Sequence, residues 1–375
     1  MGIQTHIVWF KKISLRFIGA QLFLMLVIGL CFVNVANSST VNSSDTLTDK
    51  ERQEIIKNII IKLHDNYLYP DTAKKMILFL EKKLSNHGYD STTNLENFSK
   101  ALGDDLTGIC HDKHLALIGS MTPLPSNAML NAAINTEDLT KEEKLTLSSE
   151  MSHYNYAFEK VQVLPGNVGY LRLHIFWPVE FSIKTADAAM SFLANSGALI
   201  IDLRENYGGQ PAMVAYLLSY LFDNPVHLND IYNPNTHQTK QWWTSTVVPG
   251  LRYAEGKPVY VLTSHNTFSG AEEFAYDLQS LKRATIIGEK TKGGAHPVRL
   301  FKINPHLAMA IPYAESINPT TGTNWEGKGV IPDINVSAKQ AFDTAYKKGL
   351  QYNLQHTNDQ QLKGIIQAAI NKHGA

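Results

Sequence analysis

One serine stands where the sequence turns from an apolar run into a helical pattern: Thr263-Ser264-His265-Asn266-Thr267-Phe268-Ser269-Gly270-Ala271-Glu272-Glu273-Phe274. Pro258 to Leu262 before it predicts a short buried strand, and Ala271, Phe274, Ala275, Leu278 and Leu281 after it recur at helical spacing. Ser269 would then project from a sheet edge. The Gly270 amide would be one of the helix's unpaired first-turn donors, at the positive end of its dipole. A hydroxyl beside a free, oriented amide is what acyl transfer needs: a nucleophile next to an oxyanion donor. Ser269 to Glu272 also spells a capping box, the ordinary way to begin a helix. The stretch alone does not separate the two readings.

Two further stretches bear on the choice. Asp202-Leu203-Arg204-Glu205-Asn206-Tyr207-Gly208-Gly209-Gln210-Pro211 follows a continuous apolar strand and leads into a helix. In a parallel sheet, that strand end is where sites form, and adjacent glycines let backbone approach a ligand closely. A plain tight turn with Pro211 at the helix start accounts for it equally well, and the glycine spacing is not that of a dinucleotide fingerprint. Asn318-Pro319-Thr320-Thr321-Gly322-Thr323-Asn324-Trp325-Glu326-Gly327-Lys328-Gly329 is a glycine-rich loop with one carboxylate beside a tryptophan. Glu326 could orient a histidine there; a solvated loop glutamate is the plainer alternative. Farther upstream, Cys110-His111-Asp112-Lys113-His114 sets a polar cluster before a short apolar strand. His111 and His114 without nearby cysteine are weak evidence for a metal pair, and no metal or cofactor is assigned.

The elements that must position these residues are legible in outline. The chain has 375 residues, 44% hydrophobic, with 34 basic and 34 acidic side chains. That is enough for a large core and gives no charge bias toward nucleic acid. Residues 1–38 read as a signal peptide: Lys11, Lys12 and Arg16, an apolar run from Phe17 to Val35, then Ala36-Asn37-Ser38 as a cleavage site. An uncleaved membrane anchor is the alternative, because the run approaches spanning length. Leu30 before Cys31 argues against lipidation, and Cys110 alone would remain after cleavage, so no internal disulfide is expected. Residues 39–120 begin with a Ser/Thr/Asn-rich tether and continue as a small helical lobe. Residues 121–158 read as a linker in which Lys141 to Met151 has a helical pattern, residues 159–336 as an α/β core, and residues 337–375 as a helical tail. Strand–helix alternation in the core predicts a mainly parallel sheet. His227 to Trp243 predicts a hairpin around Asn233-Pro234-Asn235.

Asp202-x-Arg204-x-Asn206-x-Gly208-Gly209, then Phe268-Ser269-Gly270-Ala271-Glu272, then Trp325-Glu326-Gly327-x-Gly329-Val330-x-Pro332-Asp333 occur in that order. Together they resemble the C-terminal processing (tail-specific) serine peptidases. With no inserted PDZ domain read, the chain is most similar to the branch that resembles interphotoreceptor retinoid-binding protein and the tricorn core protease. The resemblance runs from about Asp49 to Val336 and implies an α/β core of the crotonase/Clp protease type plus an N-terminal helical lobe. It implies Ser269 as nucleophile, His114 as general base, Glu326 as the group orienting His114, and Gly270 with Gly209 or Gly208 as oxyanion donors. It also places Asn206 and Trp325 at the substrate. Many relatives use a Ser-Lys dyad, but Gly294 occupies the position expected to hold the lysine, with Lys290 and Lys292 out of step. A Ser-His-Glu arrangement is therefore expected, with His265 as the alternative base. The implied product is an exported peptidase, periplasmic or extracellular, acting on peptides or unfolded protein, and a homo-oligomer is compatible with the sequence. The runner-up is a non-catalytic exported binder of apolar ligands or peptides, suggested by Trp242, Trp243, Trp325 and several tyrosines.

Overall fold

The computed structural model describes residues 46–373. The expected signal, its cleavage site and Cys31 lie outside the described residues, as does most of the tether. Among the described residues, no helix is long and apolar enough to cross a membrane.

Three helices form the N-terminal lobe: α1 (Asp49–Asn66), α2 (Pro70–Ser85) and α3 (Leu95–Cys110). Each starts as its local sequence dictates, α1 with a Thr48/Glu51 capping box, α2 with Pro70 in its first turn and α3 with the Asn94 side chain as cap. His111, at φ 55°, ends α3 in the left-handed conformation. The lobe does not fold around itself alone. Ile56, Ile59, Leu63, Leu80, Phe98 and Leu102 pack with Leu307, Met309 and Ile311 from far along the chain. Those residues belong to an antiparallel sheet ordered β1 (Ala116–Gly119), β10 (Leu307–Pro312), β9 (Val298–Asn304). Pairing of Ala116 with Ala310 carries the end of the lobe onto the core.

Within residues 121–158 the helix expected over Lys141 to Met151 forms, and a short second one precedes it. Helices α4 (Asn127–Leu130) and α5 (Lys141–Ser152) lie within this segment, and Met129, Leu147 and Met151 are buried in the largest hydrophobic cluster. A mixture of Pro, Asn and Ala hid the short helix α4 and its anchor Met129 from a composition-based reading.

The main sheet is ordered β12 (Ile334–Asn335), β8 (Thr285–Gly288), β7 (Val259–Thr263), β4 (Ala198–Asp202), β3 (Val168–Leu173), β2 (Phe158–Leu164). All neighbours are parallel except β2 and β3. Its period-2 alternation divides two cores. Leu199, Ile201 and Val261 face α6 (Val179–Leu193), α7 (Pro211–Leu218) and α8 (Gly270–Ser280). Ala198, Ile200 and Leu262 face α9 (Ala338–His356) and α10 (Gln360–His373), the helical tail. With both faces covered, β4 and β7 are buried at every position, which is why they read as unbroken apolar runs. The predicted hairpin is β5 (His227–Asn233) with β6 (Gln238–Trp243), extended by β11 (Glu315–Ile317) into a third sheet.

Candidate active site

The turn between β7 and α8 places Ser269 at φ 55° and ψ −124°, a conformation that residues with a side chain rarely adopt. Holding it costs on the order of 1–3 kcal/mol, which the surroundings must offset. Glu272 is the main restraint. Its buried carboxylate accepts the Ser269 amide at 2.9 Å, the Thr291 hydroxyl at 2.5 Å, and the Gly293 and Gly294 amides at 2.6 and 2.9 Å. Burial pushes this carboxyl up to about 7, against the pull of those hydrogen bonds. Ser269 and Glu272 do form a capping box. The helix-start reading and the strained-serine reading of this stretch hold together.

A second loop, after β4, braces the turn from the side. The Asn206 carbonyl accepts the Phe268 amide at 3.1 Å, and the Asn206 side chain spans the Leu173 carbonyl and the Gly208 amide, both at 2.8 Å. Gly208 has φ 99°, and a Cβ there would lie 2.7 Å from Ser269 Cβ, so only glycine lets the two backbones approach this closely. The Gly208 amide is committed to Asn206. Among the described residues, the Gly209 and Gly270 amides have no hydrogen-bond partner. Beyond the loop's start, Asp202 is bridged to Arg204 at 2.5 Å and bonded by the Tyr170 hydroxyl at 2.7 Å, which anchors the strand end.

Across the cavity stands His114, buried, its ring stacked on Phe268 with centroids 4.4 Å apart. Ser269, His114, Gly209, Gly270 and Trp325 all line this one cavity. One donor atom each from Asp112, His114 and Glu326 lies within 4.8 Å of the others, a cluster that could also hold a cation. His114 Nδ1 and Glu326 Oε1 are both buried and without a partner. Burial pulls His114 down to about 4, with the Asp112 charge opposing and His296 and Lys292 adding to the fall. Burial likewise raises Glu326, and the neighbouring Asp112 raises it further. The other Glu326 oxygen accepts the Ala295 amide at 2.5 Å.

The structure brings most of the sequence-predicted residues together and separates some. Glu326 and Gly208 sit just behind the cavity lining. Asn206, expected at the substrate, is instead fully buried with its side chain committed to backbone, so its place is that of a brace. Trp325 lines the cavity and is fixed by its indole N–H on the Gly294 carbonyl at 2.7 Å. His265 lies outside the cavity, its side chain 76% exposed and bound to the Lys290 carbonyl at 3.1 Å. Gly294 has no room for a side chain: a Cβ would lie 2.3 Å from Phe268 Cε2 and 2.7 Å from His114 Cε1. Sequence reasoning missed His296, which lines the cavity and holds Asp112 through Nδ1 at 2.6 Å, with Glu326 at 3.6 Å. Burial opposes its protonation, but the Asp112 bond and the nearby carboxylates raise it. The available signal was a histidine directly after Gly293-Gly294-Ala295.

A profile described as Peptidase family S41 matches residues 167–336, the stretch that carries Ser269, the Gly208-Gly209 loop and Glu326. Over that stretch the α/β core is similar to peptidase family S41. The chain is 28% identical over 214 residues to a carboxyl-terminal-processing protease of Synechocystis, covering 56% of this chain and 48% of that one. It is 23% identical over 309 residues to a chloroplastic carboxyl-terminal-processing peptidase of Arabidopsis thaliana, covering 75% and 62%. The chain thus spans less than two thirds of the length of these relatives. Among solved structures it shares its fold with mature CPAF, at TM-score 0.54 and 13% identity over 83% of this chain and 99% of that one. A lipoprotein from Streptococcus agalactiae matches at TM-score 0.51 and 13% identity, over 82% and 97%.

Proposed function

We propose that the chain is an exported serine peptidase that hydrolyses peptide bonds by a Ser-His-Glu mechanism. The observation that carries this reading is the meeting, in one cavity, of a strained serine, two uncommitted backbone amides and a buried histidine. Ser269 Oγ attacks the carbonyl carbon of the scissile peptide. His114 takes the hydroxyl proton with one ring nitrogen, and Nδ1 donates to Glu326 Oε1 as the ring gains charge. Both of these atoms stand ready without a partner. The amides of Gly209 and Gly270 receive the oxyanion, each worth roughly a hundredfold to a thousandfold in rate. The protonated His114 then protonates the leaving amine. Water, activated by the same imidazole, releases the acyl group from Ser269.

Peptides or unfolded protein are the proposed substrates, and an extracytoplasmic location follows from the N-terminal sequence pattern. Ser269→Ala is the test. Peptide hydrolysis should fall by about 10⁴-fold or more, and labelling by a fluorophosphonate should disappear. A wild-type protein that neither hydrolyses peptides nor reacts with the probe would favour the apolar-ligand binder, a reading the cavity's Ile118, Ile134, Val298 and Leu300 would then explain.

A further inference from the structure

The side of the cavity that carries His114 brings together three side chains able to bind a metal ion. One ligand atom each from Asp112, His114 and Glu326 lies within 4.8 Å of the other two, and among the described residues no other three histidine, cysteine or carboxylate side chains converge this closely. Two of the three hold an atom with nothing bound to it: His114 Nδ1 and Glu326 Oε1 are both buried and without a hydrogen-bond partner. His114 as a whole is 8% exposed and Asp112 3%. In the neutral ring, the Nδ1 lone pair is available whenever the proton sits on Nε2.

The surrounding contacts hold these ligands in place without using up their capacity. Asp112 accepts the His114 amide on Oδ1 at 2.9 Å and is held on Oδ2 by His296 Nδ1 at 2.6 Å. Glu326 Oε2 accepts the Ala295 amide at 2.5 Å. Each carboxylate oxygen keeps a second lone pair, and outer hydrogen bonds of this kind orient the ligands of metal centres. His114 lines the cavity, which gives an ion its way in.

We propose that Asp112, His114 and Glu326 bind a divalent transition-metal ion, Zn²⁺ in the first place, and that its binding switches the serine off. An imidazole nitrogen with two carboxylates suits zinc better than magnesium or calcium, which favour oxygen ligands alone. The double positive charge matches two carboxylates brought together away from water. Zinc bonds of about 2.0–2.2 Å set neighbouring ligand atoms roughly 3.5 Å apart, so a contraction of about 1.5 Å or less closes the set, with water in the fourth position. If Nδ1 coordinates, the ring proton must sit on Nε2; if Nε2 coordinates, its lone pair is taken. Either way His114 can no longer accept the Ser269 proton. The switching rests on the peptidase reading, whereas the binding does not.

The test titrates the untagged chain with zinc chloride by calorimetry, in the wild type and in Ser269→Ala. Both should bind an ion alike in the presence of excess Mg²⁺, and Asp112→Asn or Glu326→Gln should each weaken that binding by about tenfold or more. Anomalous diffraction from wild-type crystals grown with zinc locates the ion without any substitution, and the peak should lie among the three side chains. In the wild type, zinc should suppress peptide hydrolysis and fluorophosphonate labelling, and EDTA should restore both. No zinc binding, zinc found only on surface histidines, or an affinity unchanged by both substitutions would overturn the site. Zinc bound at the site with hydrolysis undiminished would overturn the switch. A metal-free wild type that neither cleaves peptides nor labels would remove the peptidase reading and the switch with it, while calorimetry and diffraction would still decide the ion site.

Discussion

At the serine turn the polar groups are tied down. Glu272 alone gathers four donors from Ser269 and the 291–294 loop, and Asn206 clamps the glycine loop against it. On the facing wall the opposite holds: His114 is fixed through its amide on Asp112 at 2.9 Å and its stacked ring, yet Nδ1 and Glu326 Oε1 are left open. One side is tied down by many hydrogen bonds and rigid. The other is assembled from the lobe, the loop before β9 and the late glycine loop, and it retains a bond still to be made. Oxyanion and nucleophile geometry has to be preset, because misplacement by 1 Å costs about a hundredfold. The acid–base pair can close when the substrate excludes water.

The largest way to break this contrast is at the open side. His114→Ala should lower kcat/KM by about 10⁴-fold, and Glu326→Gln by about 10³-fold. If Glu326→Gln were silent, the orienting role would pass to Asp112. On the rigid side, Gly208→Ala should cost about a hundredfold in kcat, because the new methyl displaces Ser269. Peptide assays with a thermal melt would separate this loss from unfolding. The smallest effect sharpens the picture by pH. His114 must be neutral to accept a proton, and its pKa in the fold is pulled to about 4 by burial. The acid limb of kcat/KM, which reports the free protein, should then lie well below the ordinary histidine value of about 6.5. A limb near the ordinary value would mean that the Glu326 bond to His114 is already closed before substrate arrives.

Much of the serine side was legible because its information is local. Strand, turn, capping box and helix run consecutively from Pro258 to Leu281, and periodicity alone places Ser269. The Asp202–Pro211 motif was equally plain, but the role of Asn206 was not, since its partners Leu173 and Phe268 are remote in sequence. His114 was found through the motif it resembles, and nothing local announced that β1 would pair with β10 and bring it to the core. His296 went unread because its meaning depends on Asp112, 184 residues earlier. The strand β9 was missed as well: its exposed Arg299 and partly exposed Phe301 and Lys302 blur the alternation that marks a strand. The burial of Glu273 and Asp277 was hidden for a similar reason, since both look like the wet face of an amphipathic helix until α8 is seen buried along nearly its whole length.

The crowding around Gly294 sets a rule for how such a site can change. The imidazole of His114 and the Phe268 ring already fill the space into which any side chain at 294 would grow. On the proposed Ser-His-Glu reading, a lysine at 294 would displace the ring of His114, the proposed base, so this arrangement has room for one proton acceptor beside the serine and not for both.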